Sequence, residues 1–227
     1  MSSLIDATEM YLRTIWELLE EGIAPLRARI AERLQQSGPT VSQTVSRMER
    51  DGLLRVNSDR RILLSEEGER LAMDVMRRHR LAERLLIDVV GLEWPLVHEE
   101  ACKWEHVISE TVEAKLVALL GVPDLSPYGT PVPRLEDSVD VALARFRSGV
   151  DPVSERLRLR PRLGPVRFVR IGEYLQRDQE ALTAIDQAGI RPGMTITADC
   201  DGTRLTLRGE SGECDLDADW ADQVFVG

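Results

Sequence analysis

The chain is short of several things, and each shortage excludes something. Its 227 residues include no apolar run approaching the roughly 18 residues that span a bilayer, so no transmembrane helix is expected. The opening MSSLIDATEM has no basic stretch followed by an apolar one, so it does not read as a signal peptide, and a cytoplasmic location is expected. Only three cysteines occur, Cys102, Cys200 and Cys214. Odd in number and widely spaced, they do not form a disulfide framework and suit a reducing compartment. No Gly-rich phosphate loop, serine nucleophile elbow or HExxH pattern is present, which weighs against an enzyme. Lysine is nearly missing, with two against 27 arginines, and no internal repeat is visible.

The net charge of −10 argues, as a total, against nucleic acid, but its distribution matters more. Between Pro25 and Ser65 eight arginines face four acids, a local +4, while the acidity collects around 93–113 and 199–222. Pattern and punctuation divide the chain into 1–64, short helices and a hairpin; 65–140, long amphipathic helices to about 120 and then the start of a Pro/Gly-rich stretch that runs over 121–152; a linker at 141–152; and 153–227, short alternating strands interrupted by one helix near 178–188. The fold class is mainly α with a small β domain.

Residues 26–54 carry a helix-turn-helix pattern. Ile30, Ala31 and Leu34 mark one helix, and Ser37-Gly38-Pro39 ends it, with Gly38 supplying the turn and Pro39 opening the next helix. There Val41, Val45 and Met48 face inward, leaving Thr40, Gln43, Arg47 and Arg50 outward. That outer face holds the donors a major-groove reader needs. Leu53-Leu54 and Ile62-Leu63-Leu64 flank NSDRR as a two-stranded wing with Arg60 and Arg61 at its tip, and Ser65 caps a further helix.

All three histidines lie between 79 and 106. His79 and Glu83 share a helix face at i, i+4; His98, Cys102 and His106 follow at i, i+4, i+8, with Glu105 beside them. Imidazole, thiolate and carboxylate at this spacing point to a metal. A zinc metalloenzyme using His98, Cys102 and His106, or a DNA-bending protein with structural metal, remains an alternative on these residues. Leu85, Leu86, Val89 and Trp104 are candidates for a dimer contact. Asp215, Asp217 and Asp219, alternating with Leu216 and Ala218, read as a solvated turn.

The runs TEMYLRTIWELLEEG (8–22), PLRARIAERLQQSGPTVSQTVSRMERDGL (25–53), MRRHRLAERLL (76–86) and HEEACKWEHV (98–107) resemble the diphtheria-toxin-repressor family of iron-dependent regulators, densely to about residue 135 and more loosely beyond. The resemblance implies a homodimer of a winged-helix DNA-binding domain, a helical metal-binding and dimerisation domain and a C-terminal SH3-like β barrel. It implies an activating metal site of Met10, Cys102, Glu105 and His106, and an ancillary site of His79, Glu83 and His98 completed by Glu173 and Gln176. It also implies an anion site near Arg80 and Ser126, although Thr130 stands where the family's prototype has an Asn. The DNA-contacting set it suggests is Arg27, Pro39, Thr40, Ser42, Gln43, Ser46, Arg47, Arg50 and Arg60, with Gln43 the main base reader. The function implied is iron(II)-dependent repression of iron-uptake or siderophore genes through a palindromic operator, bound by one dimer or two. Thioether and thiolate donors favour Fe²⁺ and later metals over Mn²⁺, and Co²⁺, Ni²⁺, Mn²⁺ or Zn²⁺ are expected to substitute in vitro. A manganese or zinc sensor on the same scaffold is the nearest alternative.

Overall fold

A computed structural model describes the backbone of residues 2–227 and the side chains from Ala7 onward. Met1, where the first expected domain begins, lies outside the described residues. Helix α1 (Ser2–Glu20) is apolar on most of its circumference and buries Tyr11, Leu12, Ile15, Trp16 and Leu18. Helix α2 (Arg27–Leu34) and α3 (Gly38–Arg50) form the helix-turn-helix. The turn between them rests on Gln35, the left-handed residue (φ 51°), and not on Gly38, which is already in α3. Ser37 caps α3 by accepting from the Thr40 amide, and Val41, Val45 and Met48 are buried beneath it. Strands β1 (Leu54–Val56) and β2 (Ile62–Leu64) make the wing, closed by Asn57, whose Oδ1 accepts from the Asp59 and Arg61 amides.

Helix α4 (Glu66–Leu85) starts on the Ser65 cap with Glu66, Glu67 and Glu69 at its positive end. It crosses the head closely: a Cβ on Gly68 would stand 2.0 Å from the Leu53 carbonyl oxygen. After a π-turn at Leu86–Val90 come α5 (Val97–Trp104), α6 (Glu110–Leu120) and α7 (Val139–Arg147). The span expected as a linker at 141–152 thus carries most of a helix. Its Ala142 joins the head's core, and Arg147 donates to the carbonyls of Leu19 and Glu20 at the end of α1.

The rest is a six-stranded antiparallel sheet with three short helices. In chain order these are β3 (Asp151–Pro152), α8 (Val153–Leu159), β4 (Arg162–Ile171), α9 (Glu173–Gln176), α10 (Gln179–Gln187), β5 (Thr195–Cys200), β6 (Arg204–Arg208), β7 (Glu213–Asp217) and β8 (Val224–Val226), with spatial order β3-β8-β4-β5-β6-β7. Asp215 and Asp217, expected in a turn, lie on β7. Their alternation with buried Cys214 and Leu216 is the period of a half-buried strand.

Two apolar cores result. One fills the head and takes in α1 and the first half of α4. The other runs without a break from Ala82, Leu86, Trp94 and Val97 of the helical middle into the β domain. Leu86, a candidate dimer contact, belongs to this core at 2% exposure, whereas Val89 and Val90 are exposed. The turn 126–130 seals the junction: Gly129 (φ 81°) lies so close to β4 that a Cβ would stand 2.1 Å from the Val169 carbonyl oxygen. The Tyr128 hydroxyl donates to the Trp94 carbonyl and accepts from the His98 amide.

Candidate functional site

Helices α4 and α5 meet side by side, and their histidines face each other with ring centroids 4.9 Å apart. His79 Nε2 lies 2.8 Å from Glu83 Oε1 and 3.3 Å from His98 Nδ1, and His98 Nδ1 lies 3.0 Å from Gln176 Oε1. Glu173 Oε2 closes the group, 3.5 Å from His79 and 3.6 Å from His98. The residues expected as an ancillary site are thus drawn together from α4, α5 and α9. The donor atoms of His79, Glu83, His98 and Glu173 lie within 4.8 Å of one another.

On the other side His79 Nδ1 lies 2.6 Å from Glu105 Oε2, so the two expected sites share a wall. His79, Cys102 and Glu105 form a second cluster of the same tightness. His106 Nε2 is 3.3 Å from Glu105 Oε1, and its Nδ1 is 2.7 Å from Glu9 Oε2. Met10 sits half-buried on α1, packed against the head core, between two residues that sequence reasoning missed. Glu9 reaches His106. Arg13 Nη1 donates to Glu105 Oε2 at 2.8 Å and to Cys102 Sγ at 3.1 Å, and its Nη2 is 3.3 Å from His98 Nε2. Arg13 Nε pairs with Glu17 at 3.0 Å. The signal for these was present as a charged stripe at 9, 13, 17 and 20 along a helix whose other positions are mostly apolar.

The electrostatics favour a cation. Glu17, Glu20, Glu83, Glu105 and Glu173 are each about 1% exposed or less, and the guanidiniums paired with them are Arg13, Arg80 and Arg177, so five buried carboxyls share three guanidiniums. Two buried carboxylate oxygens, Glu83 Oε2 and Glu173 Oε2, have no hydrogen-bond partner, a costly condition that a bound cation relieves. Burial pushes the Glu83 carboxyl up to about 7, against its hydrogen bond with His98. Burial, followed by the charge of Arg13, holds His79 well below the usual imidazole range, so it is neutral and free to ligate. Burial also raises the Glu105 carboxyl and the Cys102 thiol, with Arg13 opposing both. Imidazole, carboxylate, thiol and amide at these separations suit a first-row divalent ion.

The expected anion site is not assembled. Arg80 is fully buried and gives its Nε, Nη1 and Nη2 to Glu20, Glu173 and the Pro131 carbonyl, leaving no nitrogen free for an anion. Ser126 Oγ pairs instead with Thr130 Oγ1 at 2.8 Å and accepts from the Tyr128 amide. Carboxylates thus stand against the guanidinium where an anion was expected.

On the head, Pro39, Thr40, Ser42, Gln43, Ser46 and Arg50 are exposed along α3, and Arg60 is exposed at the wing tip with φ 62°. Arg27 and Arg47 are half-buried beside them. The head therefore presents one polar, basic surface opposite its core.

Comparison with known proteins fits this geometry. Residues 3–62 match the N-terminal DNA binding domain of iron dependent repressors, and residues 65–134 match their metal binding and dimerisation domain. The iron-dependent repressor IdeR of Mycobacterium tuberculosis (strain ATCC 25618 / H37Rv) is 54% identical over 201 residues, covering 88% of this chain and 86% of that protein. The diphtheria toxin repressor of Corynebacterium diphtheriae is 48% identical over 231 residues, covering 100% and 99%. Among solved structures, a manganese-dependent transcriptional repressor in complex with manganese is alike in fold, with a TM-score of 0.77 over 96% of this chain and 98% of its own at 24% identity. The chain belongs to the iron-dependent repressor family.

Proposed function

We propose that this chain is an iron(II)-dependent repressor that holds two metal ions per subunit and, as a homodimer, grips a palindromic operator controlling iron-uptake or siderophore genes. The reading rests on one observation: a buried cluster with more carboxyls than guanidiniums joins α4 and α5 to α1, the helix on which the reading head is packed. Residues 1–64 serve as the DNA-binding unit, 65–140 as the metal-binding and dimerisation unit and 153–227 as the β domain.

The activating ion is assigned to Met10, Cys102, Glu105 and His106, and the ancillary ion to His79, Glu83, His98, Glu173 and Gln176. A divalent cation there supplies the charge that the carboxylates lack and ties α1 to α5. Glu105 and His106 then hold α1 from the α5 side, and α1 carries α2 and α3 with it through Tyr11, Ile15 and Trp16. A dimer needs its two α3 helices about one DNA turn, roughly 34 Å, apart, so fixing α1 fixes affinity. Driving such a switch from 1:99 to 99:1 takes about 5.5 kcal/mol of differential metal binding. Soft donors at Met10 and Cys102 favour Fe²⁺ over Mn²⁺. They do not reject Co²⁺, Ni²⁺ or Zn²⁺, so availability in the cell decides the physiological metal.

The test is an anaerobic gel-shift titration of Fe²⁺ against a palindromic upstream fragment, with and without chelator. Iron should tighten binding and chelator should release it; equal binding in both arms refutes the reading. Met10→Ala and Cys102→Ala should each weaken the iron response by tenfold or more, and normal responses in both would remove the assigned activating site. The nearest alternative, a manganese or zinc sensor, is separated by titrating those ions in parallel. The zinc-metalloenzyme alternative has no support in a family of transcriptional repressors.

A further inference from the structure

Helix α9 is one turn long and has two working faces. Glu173 and Gln176, at i and i+3, point into the histidine cluster. Tyr174 and Arg177, also at i and i+3, occupy the neighbouring face roughly 100° around the helix. That face meets the head. Arg177 Nη1 donates to the Arg33 carbonyl at 2.8 Å, and its Nη2 lies 3.0 Å from both oxygens of Glu17. Arg33, in the last turn of α2, lays its guanidinium over the Tyr174 ring, 4.3 Å from the centroid. Arg33 is itself held in a fork by Glu21, which also accepts from Gln223 of the β domain at 2.8 Å.

The carbonyl that Arg177 caps is one that the end of a helix leaves without an intrahelical partner. Two residues later stands Gln35, the left-handed hinge into α3. Glu17 is also ion-paired with Arg13, whose guanidinium lies on Cys102 and Glu105. Although burial pushes the other way, Arg177 and then Arg13 hold the Glu17 carboxyl down at about 2, so this seam stays charged.

We propose that α9 is a coupling element: Glu173 and Gln176 close the metal cluster, and Tyr174 and Arg177, as positioning residues, transmit that closure to the C-terminal end of α2 and so to the reading helix. The proposal rests on the metal reading above and adds that the β domain is part of the switch. Arg177 bonds to no assigned ligand, and its positive charge, felt at His79 and Cys102, opposes a cation, so removing it should not cost metal uptake.

The test is hydrogen–deuterium exchange on the full chain with and without cobalt(II), with no DNA present. In the wild type, cobalt(II) should slow amides of α4 and α9, and should also slow those of residues 30–36 by fivefold or more, the lower end of typical site-to-site coupling. Arg177→Ala should keep cobalt uptake and the slowing in α4 and α9 but lose the slowing in 30–36. Arg177→Gln, which retains the aliphatic stem, should do the same if the alanine variant folds poorly. Equal slowing of 30–36 in wild type and variants overturns the proposal, as does loss of cobalt uptake in the well-folded variant, because Arg177 would then act on the site itself. No slowing of α4 or α9 in the wild type would defeat the metal reading and this proposal together.

Discussion

On the proposed assignment, Arg13 and an activating metal compete for the same atoms. A first-row divalent ion holds a thiolate at about 2.3 Å and a carboxylate at about 2.0–2.2 Å, whereas the Arg13 guanidinium already sits 3.1 Å from Cys102 Sγ and 2.8 Å from Glu105 Oε2. A dication and a guanidinium about 5 Å apart repel by about 6–7 kcal/mol at an effective dielectric of about 20, and by about 3 kcal/mol at 10 Å. Metal entry therefore requires Arg13 to withdraw toward Glu17, its other partner at 3.0 Å. Arg13→Gln removes the competitor while keeping a polar side chain. Its metal affinity should rise at least tenfold, and up to about a hundredfold if 3 kcal/mol is recovered. Without metal, the variant leaves Glu105 short of a countercharge, while Glu17 keeps Arg177, and should lose about 3 kcal/mol, lowering Tm by roughly 6–12 °C. The metal-induced rise in Tm should then exceed that of the wild type. Cobalt(II) calorimetry and differential scanning calorimetry with and without cobalt measure both effects. Weaker cobalt binding in Arg13→Gln would refute the competition and make Arg13 a support of the ligand cage.

Other perturbations have defined outcomes. Because the Glu83 pKa is raised to about 7, the metal-free chain still carries this proton at pH 6.5; ligation needs the carboxylate, so cobalt binding at pH 6.5 should release it along with the Cys102 thiol proton, and apparent affinity should climb with pH through 7 and beyond. Calorimetry in buffers of different ionisation enthalpy reads these protons, and no buffer dependence would place the ligands elsewhere. Gly129→Ala forces a Cβ to 2.1 Å from the Val169 carbonyl oxygen at a φ of 81°, and should cost at least about 1–3 kcal/mol in chemical unfolding. Gln43→Ala on α3 should weaken specific duplex binding by about 1–3 kcal/mol and leave the salt dependence unchanged, whereas Arg50→Ala should reduce the salt slope by about one; anisotropy titrations at several salt concentrations separate the two.

Features written in short-range code were legible in the sequence. The α3 core positions Val41, Val45 and Met48, the Ser37 cap with Pro39, and the α4 start at Ser65 all follow from spacings of three or four residues. The histidine cluster was legible because its ligands sit at helical intervals, even though α4 and α5 had still to be brought together. Arg13 was not, because the charged stripe it shares with Glu9, Glu17 and Glu20 is also what a helix face turned to solvent shows. Its partners lie about 90 residues away, as do those that link Arg80 to Glu173, and no periodicity reports such pairs. The anion expected at Arg80 came from the family resemblance, and that buried arginine's partners are likewise set by tertiary contact. Helix α7 escaped notice because its nine residues follow a Pro-rich stretch and bury only Ala142 and Phe146, too little amphipathic signal to override the turn residues before it.

On the proposed reading, the composition of the α1–α5 seam explains how a metal would govern it. Had α1 met α5 through leucines, apolar burial would hold the two together whether or not a cation was present. Instead the contact is made by Glu9, Arg13, Glu17, His106, Glu105 and Cys102. Buried ion pairs contribute little net stability, because desolvation offsets most of the attraction, yet unbalancing one is expensive. A seam of this kind is close to neutral in energy and steep in its response to charge. Two added positive charges are enough to tip it, which is the size of response that about 5.5 kcal/mol of metal binding has to drive. The same logic places the apolar cores away from the seam, one in the head and one shared by the helical middle and the β domain. Each body then stays rigid while the contact between them answers to the ion.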